Sequence, residues 1–124
     1  MIRDVLDDLA GLDFCYVTTT GRRTGRPHRI EIWFHADDRT IYLLAGGGEK
    51  ADWVRNLRAE PTVEVDIGER TFDGLARDVE GDEEERARRG LAAKYQGWEP
   101  GRPLTTWAAT ALPIAIDLGE GQSR

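Results

Sequence analysis

Three arginines lie within one short turn of this chain. Residues 21–27 are Gly-Arg-Arg-Thr-Gly-Arg-Pro, so Arg22, Arg23 and Arg26 are flanked by glycines that permit positive φ. Guanidinium groups bind phosphate and carboxylate groups through paired N–H donors. Here they occur in a chain whose formal net charge is −6. The turn is therefore a candidate anion site, and the alternative is a solvated hairpin tip.

A second candidate anion site is the glycine-rich segment 45–50, Ala-Gly-Gly-Gly-Glu-Lys, where a predicted strand ends and a predicted helix begins. Glycine backbone N–H groups and a helix N-terminus favour a bound phosphate, and Lys50 adds a positive charge. The spacing matches neither a dinucleotide-binding fingerprint nor a P-loop, and a flexible turn is the alternative. Because turns beside the strands of one barrel can converge, we expect the two segments to act together.

The other reactive residue types form no catalytic set. The only serine is Ser123, close to the C-terminus, which argues against a serine triad. Cys15 lies in an apolar strand and is interpreted as a core residue. His28 and His35 are seven residues apart on one predicted strand, so their side chains point to opposite faces and share no metal. With His28 as the one candidate proton donor, a cofactor is expected to supply the chemistry.

Length and composition narrow the class of protein. With 124 residues, of which 40% are hydrophobic, the chain fits one globular domain over residues 1–124. No apolar run reaches the roughly 18 residues of a membrane span, and the N-terminus has no apolar signal segment. A single cysteine forms no internal disulfide, which suits the cytoplasm. The acidic balance disfavours nucleic-acid partners.

Hydrophobic periodicity predicts a mainly β (α+β) fold, in which hairpin-connected strands close into a barrel and so remove exposed edges. The alternation over residues 28–35 directs His28, Ile30, Ile32 and Phe34 towards the core. Residues 119–124 are expected to be a disordered tail. Six strands are predicted, at 14–20, 28–35, 40–45, 62–67, 70–79 and 112–118. About three helices are predicted, at 2–11, at 49–59, and from Asp82, which with Glu85 forms a capping-box pattern.

Two stretches resemble the deazaflavin-dependent nitroreductase family. Residues 18–27, Thr-Thr-Thr-Gly-Arg-Arg-Thr-Gly-Arg-Pro, are similar to the family's opening hairpin. The glycines at 46–48, with Trp53, residues 55–57 (Arg-Asn-Leu) and Pro61 before Val-Glu-Val at 63–65, are similar to its strand–helix–strand segment. The resemblance covers roughly residues 14–79 and extends in layout to the wider pyridoxamine-phosphate-oxidase-like superfamily.

The resemblance implies a six-stranded antiparallel split β-barrel that forms a homodimer, with a cofactor groove near the dimer interface. The family's cofactor is coenzyme F420, an 8-hydroxy-5-deazaflavin with a phosphate and an oligoglutamate tail, whereas other members of the superfamily use FMN. By position, Arg22 and Arg23 would face the phosphate or the acidic tail. The remaining cofactor-binding residues would be Gly47, Gly48 and Lys50 at the phosphate, Asn56 nearby, and Ile32 and Trp33 beside the ring.

This chain departs from the family pattern in two places. It lacks a proline-containing insertion between the glycines and Trp53, so the segment that grips the phosphate is shorter. The aromatic residue that covers the substrate late in the chain could be Tyr95, Trp98 or Trp107.

The predicted function is hydride transfer from reduced F420 to a small electron-poor acceptor, which would be a quinone, an activated alkene or a nitro compound. Solvent, a nearby Tyr or His28 would protonate the product. The alternatives are an FMN-binding oxidoreductase of the same fold, a cofactor carrier without turnover, and a structural dimer that binds no ligand.

Overall fold

A computed structural model describes residues 1–119 of the chain. It contains one seven-stranded sheet in which all neighbouring strands are antiparallel. The strands are β1 Cys15–Thr20, β2 Pro27–Ile32, β3 His35–Asp37, β4 Thr40–Ala45, β5 Thr62–Ile67, β6 Arg70–Asp78 and β7 Leu112–Leu118. The helices are α1 Ile2–Leu9, α2 Asp52–Ala59, α3 Gly81–Gln96 and α4 Thr106–Thr110, with a 3₁₀ turn at Gly48–Lys50.

The strand order is β2-β1-β5-β6-β7-β4-β3, so β2 and β3 stand at the two ends of the sheet. Only Trp33 and Phe34 separate these two strands in the chain. Because a two-residue link joins opposite ends of the sheet, the sheet curls round on itself into a half-barrel. The predicted split barrel is confirmed.

The prediction of one continuous strand over 28–35 is wrong, and this accounts for seven strands rather than six. The Phe34 side chain is fully buried, and its backbone leaves the ladder. The Phe34 N–H donates to Tyr95 Oη at 3.0 Å, and Lys94 Nζ donates to the Phe34 carbonyl at 3.0 Å. Two side chains of α3 therefore satisfy the backbone where the strand breaks.

Inward-facing residues of the curled sheet form the main core, with one face of α1 packed against them. Alternate residues of each strand meet there because a strand has a period of two. Members with no solvent exposure include Leu6, Val17, Ile41, Val65, Ile67, Ile114 and Ile116. A second cluster lies between α3 and the other face of the sheet, and includes Tyr42, Leu44, Ala87, Leu91 and Ala115.

The helices differ from prediction mainly at their ends. α1 stops at Leu9, and the predicted helix 49–59 is divided into the 3₁₀ turn and α2. α3 has Glu80 at its N-cap with no side-chain cap hydrogen bond, so the predicted capping role of Asp82 is wrong. The short α4 was not predicted, although Thr105 Oγ1 accepts the Ala108 N–H at 3.2 Å as an N-cap should.

The C-terminal end of the described chain is ordered. β7 lies between β6 and β4, so Pro113 occupies the start of an internal strand rather than an edge. Gly119, the first residue of the predicted disordered tail, donates its N–H to the Asp73 carbonyl at 2.8 Å. The remaining residues of that tail, 120–124, lie outside the described residues. Within residues 1–119, no helix has the length and apolar character needed to cross a membrane.

Candidate active site

β2 runs between two clefts of different chemistry. The first, here called the cationic cleft, lies at the turn that precedes β2 and has a volume of about 220 Å³. The second, here called the aromatic cleft, lies where β2 ends and has a volume of about 470 Å³. The cationic cleft is lined by Gly21, Arg22, Arg23, Thr24, His28, Asp52 and Asn56. The aromatic cleft is lined by Phe14, Glu31, Ile32, Trp33, Leu44, Gln96 and Trp107.

Arg22 is held between the turn and α2. Its Nη1 donates to Asn56 Oδ1 at 2.8 Å, and its backbone N–H donates to the same oxygen at 3.2 Å. Its Nη2 forms an ion pair with Asp52 at 3.2 Å, in which the Asp52 side chain is 85% exposed. The guanidinium is therefore fixed on its buried side and paired with an exposed carboxylate on its other side.

Asn56 is the buried centre of this arrangement. Its side chain is almost inaccessible, at 2% exposure, and its Nδ2 donates to Thr19 Oγ1 at 3.3 Å. The amide thus joins α2 to β1 on one side and to Arg22 on the other. Asn56 lines the cationic cleft, and its bonds make it the residue that positions Arg22, while its predicted contact with the cofactor stays a prediction.

Arg23 and His28 supply the exposed part of the cationic cleft. Among residues 1–119, Arg23 forms no ion pair, so its guanidinium is open to a ligand. The His28 ring packs against Gly21, where a Cβ would lie 2.8 Å from His28 Nε2. Glycine at position 21 therefore allows the imidazole to lie against the turn.

The aromatic cleft has a rigid wall built around Trp33. The Tyr95 ring stacks on the Trp33 ring at 4.3 Å between centroids and 1° between planes. Trp107 contacts the same indole edge-on, at 5.5 Å and 87°. Tyr95 Oη accepts the Phe34 N–H and donates to the Asp13 carbonyl at 2.8 Å. Burial raises the pKa of Tyr95 to about 12, so the phenol stays protonated at neutral pH.

The three late aromatic residues have different places. Trp107 lines the aromatic cleft, and Tyr95 lies behind Trp33 without lining it. Trp98 belongs to a separate surface cavity with Arg89 and donates its Nε1–H to the Arg102 carbonyl at 2.7 Å. Sequence reasoning missed Phe14, Glu31, Leu44 and Gln96 as cleft residues, because nothing in their local spacing relates them.

The glycine segment lies outside both clefts but on the chain that links them. Leu44 lines the aromatic cleft and Asp52 lines the cationic cleft, so residues 45–51 pass from one to the other. Gly48 has φ +61°, a conformation that favours glycine. The roles predicted for Gly47, Gly48 and Lys50 stay predictions.

The two clefts are close enough for one extended ligand. His28 and Ile32 are four positions apart along β2, which corresponds to about 13 Å at the usual rise of a strand. Within the described part of the chain, no three His, Cys, Asp or Glu side chains are grouped to hold a metal ion. The site can therefore be described by its cations at one end and its rings at the other.

Comparison with known proteins places the chain in one family. The model of a family described as F420H(2)-dependent quinone reductase matches residues 4–118. A curated relative, an F420H(2)-dependent quinone reductase of Mycobacterium tuberculosis, is 30% identical over 73 residues, which are 56% of this chain and 49% of that protein. The matched part thus spans about half the length of the curated relative.

Solved structures share the fold. One described as an F420-H2 dependent reductase has a TM-score of 0.65 and 24% identity, and the match covers 86% of this chain and 96% of that chain. Another, described as a domain-swapped dimer, has a TM-score of 0.65 and 26% identity over 86% of this chain and 81% of its own.

Proposed function

The chain belongs to the F420H(2)-dependent quinone reductase family, and on this premise we propose that it transfers a hydride from reduced coenzyme F420 to a small electron-poor acceptor. Membership confirms the predicted family. It also confirms the predicted oxidoreductase class and F420 as the cofactor of that family. This chain's own reaction and acceptor, whether a quinone, an activated alkene or a nitro compound, are part of the proposal.

The observation that carries the proposal is the pair of unlike clefts at the two ends of β2. F420 has an aromatic deazaflavin ring at one end and a phosphate with an oligoglutamate tail at the other. Two arginines suit the anionic end, and the indoles of Trp33 and Trp107 suit the planar ring. The donor set present therefore fits this cofactor.

Binding of an anion to Arg22 requires the exposed Asp52 carboxylate to give way. Exposed ion pairs contribute only about 0–1 kcal/mol, so this exchange is easy. Arg22 and Arg23 would bind the phosphate or the acidic tail, with Asn56 holding Arg22 in place. Gly47, Gly48 and Lys50 would complete the phosphate site from the segment that links the clefts.

At the other end of β2, Ile32 and Trp33 would orient the ring and exclude water. Bound reduced F420 supplies the hydride, and the chain supplies the binding and the orientation. His28 lies in the cationic cleft, which favours a contribution to anion binding over its predicted role as proton donor.

We also propose that the chain, as one domain, works in the cytoplasm as a homodimer. Two apolar side chains that line the aromatic cleft are exposed, namely Phe14 at 43% and Trp33 at 37%, and Leu12, two residues before Phe14, is 41% exposed. A second copy would cover them, and one structurally similar protein is described as a domain-swapped dimer. Buried, unpaired Cys15 suits a reducing compartment. Light scattering after size-exclusion chromatography tests the dimer.

Tryptophan-fluorescence titration with oxidised F420, and separately with FMN, tests the cofactor. We expect F420 to quench Trp33 and to bind more tightly than FMN, because the oligoglutamate tail adds carboxylates for the cationic cleft. The double variant Arg22→Ala/Arg23→Ala should weaken F420 binding by at least about 100-fold, since each charge-assisted contact is worth about 1.5–3 kcal/mol.

Arg26→Ala is the control, because Arg26 is the third arginine of the same turn and does not line the cleft. If Arg26→Ala weakens F420 binding as much as the double variant does, Arg22 and Arg23 do not form the anion site. Tight FMN binding would support the FMN enzyme, and tight F420 binding with no reduction of any acceptor would support the carrier. If neither ligand binds, the structural dimer remains.

A further inference from the structure

Glu31 is the one ionisable side chain among the residues that line the aromatic cleft. The other lining groups are indole, phenyl and aliphatic side chains and one amide. Glu31 stands two residues before Trp33, on the strand that leads into the wall. A single carboxylate therefore sets the charge of an otherwise uncharged cleft.

A neutral donor, rather than a cation, holds this carboxylate. Tyr16 Oη donates to Glu31 Oε1 at 2.7 Å, and the carboxylate in turn raises the pKa of the Tyr16 phenol. Arg29 lies on the same face of β2, but its guanidinium is bonded to Asp66 at 2.7 Å. The same guanidinium lies over the Tyr16 ring, 4.4 Å from its centroid, but within residues 1–119 no basic side chain forms an ion pair with Glu31.

A planar acceptor that enters the aromatic cleft beside the cofactor's ring brings its substituents close to this charge. A carboxylate or sulfonate on such an acceptor would be repelled, whereas a neutral ring would not. The contrast with the cationic cleft is direct, since the turn before β2 presents arginines to one end of the site and β2 itself presents a carboxylate to the other.

We infer that Glu31 is a specificity-determining residue that makes the aromatic cleft select uncharged or cationic planar acceptors against anionic ones. The inference rests on the proposed function, because it takes the aromatic cleft as the place where the acceptor meets the cofactor's ring.

The test compares two acceptors with the same rings, 1,4-naphthoquinone and its 2-sulfonate. Dissociation constants are measured by quenching of tryptophan fluorescence without cofactor, and kcat/KM is measured with reduced F420. In the unaltered protein the sulfonate should bind roughly tenfold more weakly at low salt, and the ratio should shrink as salt screens the repulsion. Binding without cofactor removes any effect of the two compounds' different reduction potentials.

Glu31→Gln keeps the size of the side chain and removes its charge. It should lower the Kd of the sulfonate by roughly tenfold and leave that of the neutral quinone within about twofold. Glu31→Lys should reverse the order, so that the sulfonate binds more tightly. Glu64→Gln is the control, because Glu64 is an exposed carboxylate of β5 that does not line the aromatic cleft.

Two failures are distinguishable. If Glu31→Gln leaves the ratio of the two dissociation constants unchanged, or if Glu64→Gln changes it equally, Glu31 does not select acceptors, whatever F420 does. If the charge selection is found but reduced F420 donates to neither quinone, the proposed reaction fails while the selection by Glu31 stands.

Discussion

The cationic cleft and the aromatic cleft are built in different ways. Most side chains of the cationic cleft come from one turn and the strand that follows it, residues 21–28. The walls of the aromatic cleft come from five separate places, near residues 14, 31–33, 44, 96 and 107. Charge can thus be concentrated by local sequence, whereas a ring-lined cleft depends on how distant segments pack.

The two clefts also differ in the interactions that hold their side chains in place. Hydrogen bonds to one buried amide, that of Asn56, organise the cationic cleft. Ring stacking and the bonds from α3 to the Phe34 backbone organise the aromatic cleft. A substitution that removes the interactions holding one cleft should therefore affect that cleft more than the other. Three changes test this, from the largest expected effect to the smallest.

Phe34→Ala should have the largest effect and should act on the aromatic cleft. It removes a fully buried ring at the break between β2 and β3, which costs about 3–5 kcal/mol of unfolding free energy. Urea denaturation measures the loss. Near-ultraviolet circular dichroism should show that the Trp33 wall is disturbed while F420 still binds through its anionic end.

Leu75→Ala is the comparison for that experiment, because the Leu75 side chain is 55% exposed and lines neither cleft, and it should cost about 1 kcal/mol or less. Equal losses for the two variants would contradict the placement of Phe34 in the core.

Asn56→Ala should come next and should act on the cationic cleft. It removes the amide that donates to the buried Thr19 oxygen and the oxygen that accepts the Arg22 backbone N–H, at a cost of about 2–3 kcal/mol in unfolding free energy. Because Arg22 loses its support, F420 should bind more weakly, while the fluorescence of the Trp33 wall should be unchanged.

Arg55→Ala changes the adjacent, exposed residue of α2 and should alter neither stability nor F420 affinity noticeably. If Asn56→Ala keeps full F420 affinity, Arg22 does not depend on the amide for its position.

Lowering the pH should have the smallest effect on stability. Its first effect should be on the bonds between Arg77 and Glu83, a residue in the first turn of α3. Hydrogen bonds from Arg77, with burial opposing them and Tyr42 assisting, lower the pKa of Glu83 from 4.5 to about 2. Because the pKa is lower in the folded protein, the stability that this group provides is complete above pH 4.5. It is lost as the pH falls from 4.5 towards 2.

Glu83→Gln should therefore flatten the fall in unfolding free energy over that pH window and lower stability at neutral pH. Glu85→Gln is the control, since Glu85 pairs only with exposed Arg89 within α3. An unchanged pH profile in Glu83→Gln would show that the Arg77 pair does not anchor α3.

Much of the fold could be predicted because its signals are local. The sequence predicted strands over 62–67, where apolar and polar residues alternate, and over 112–118, and the structure reproduces the bounds of both. The break of the strand at Trp33 and Phe34 could not be predicted, because the alternation continues through it. Bonds from Lys94 and Tyr95, about sixty residues further along, satisfy the broken backbone.

The candidate site also has a part that could be predicted from the sequence and a part that could not. Arg22, Arg23 and Asn56 were predicted from motifs and do line one cleft, whereas the pairing of Trp33 with Trp107 had no sequence signal. Gly90 is a similar case, since it is an ordinary helix residue in the sequence. In the structure, a Cβ at Gly90 would collide with the His35 ring.

The sequence by itself determined the charged turn, most of the strands and the family, because turn chemistry and period-two alternation depend on neighbours in the chain. Only the tertiary structure decided that Phe34 ends one strand and that Trp33, Tyr95 and Trp107 meet. It also decided that Glu31 stands in a cleft of rings. Such contacts join residues far apart in sequence, and they arise only when the sheet curls and α3 packs against it.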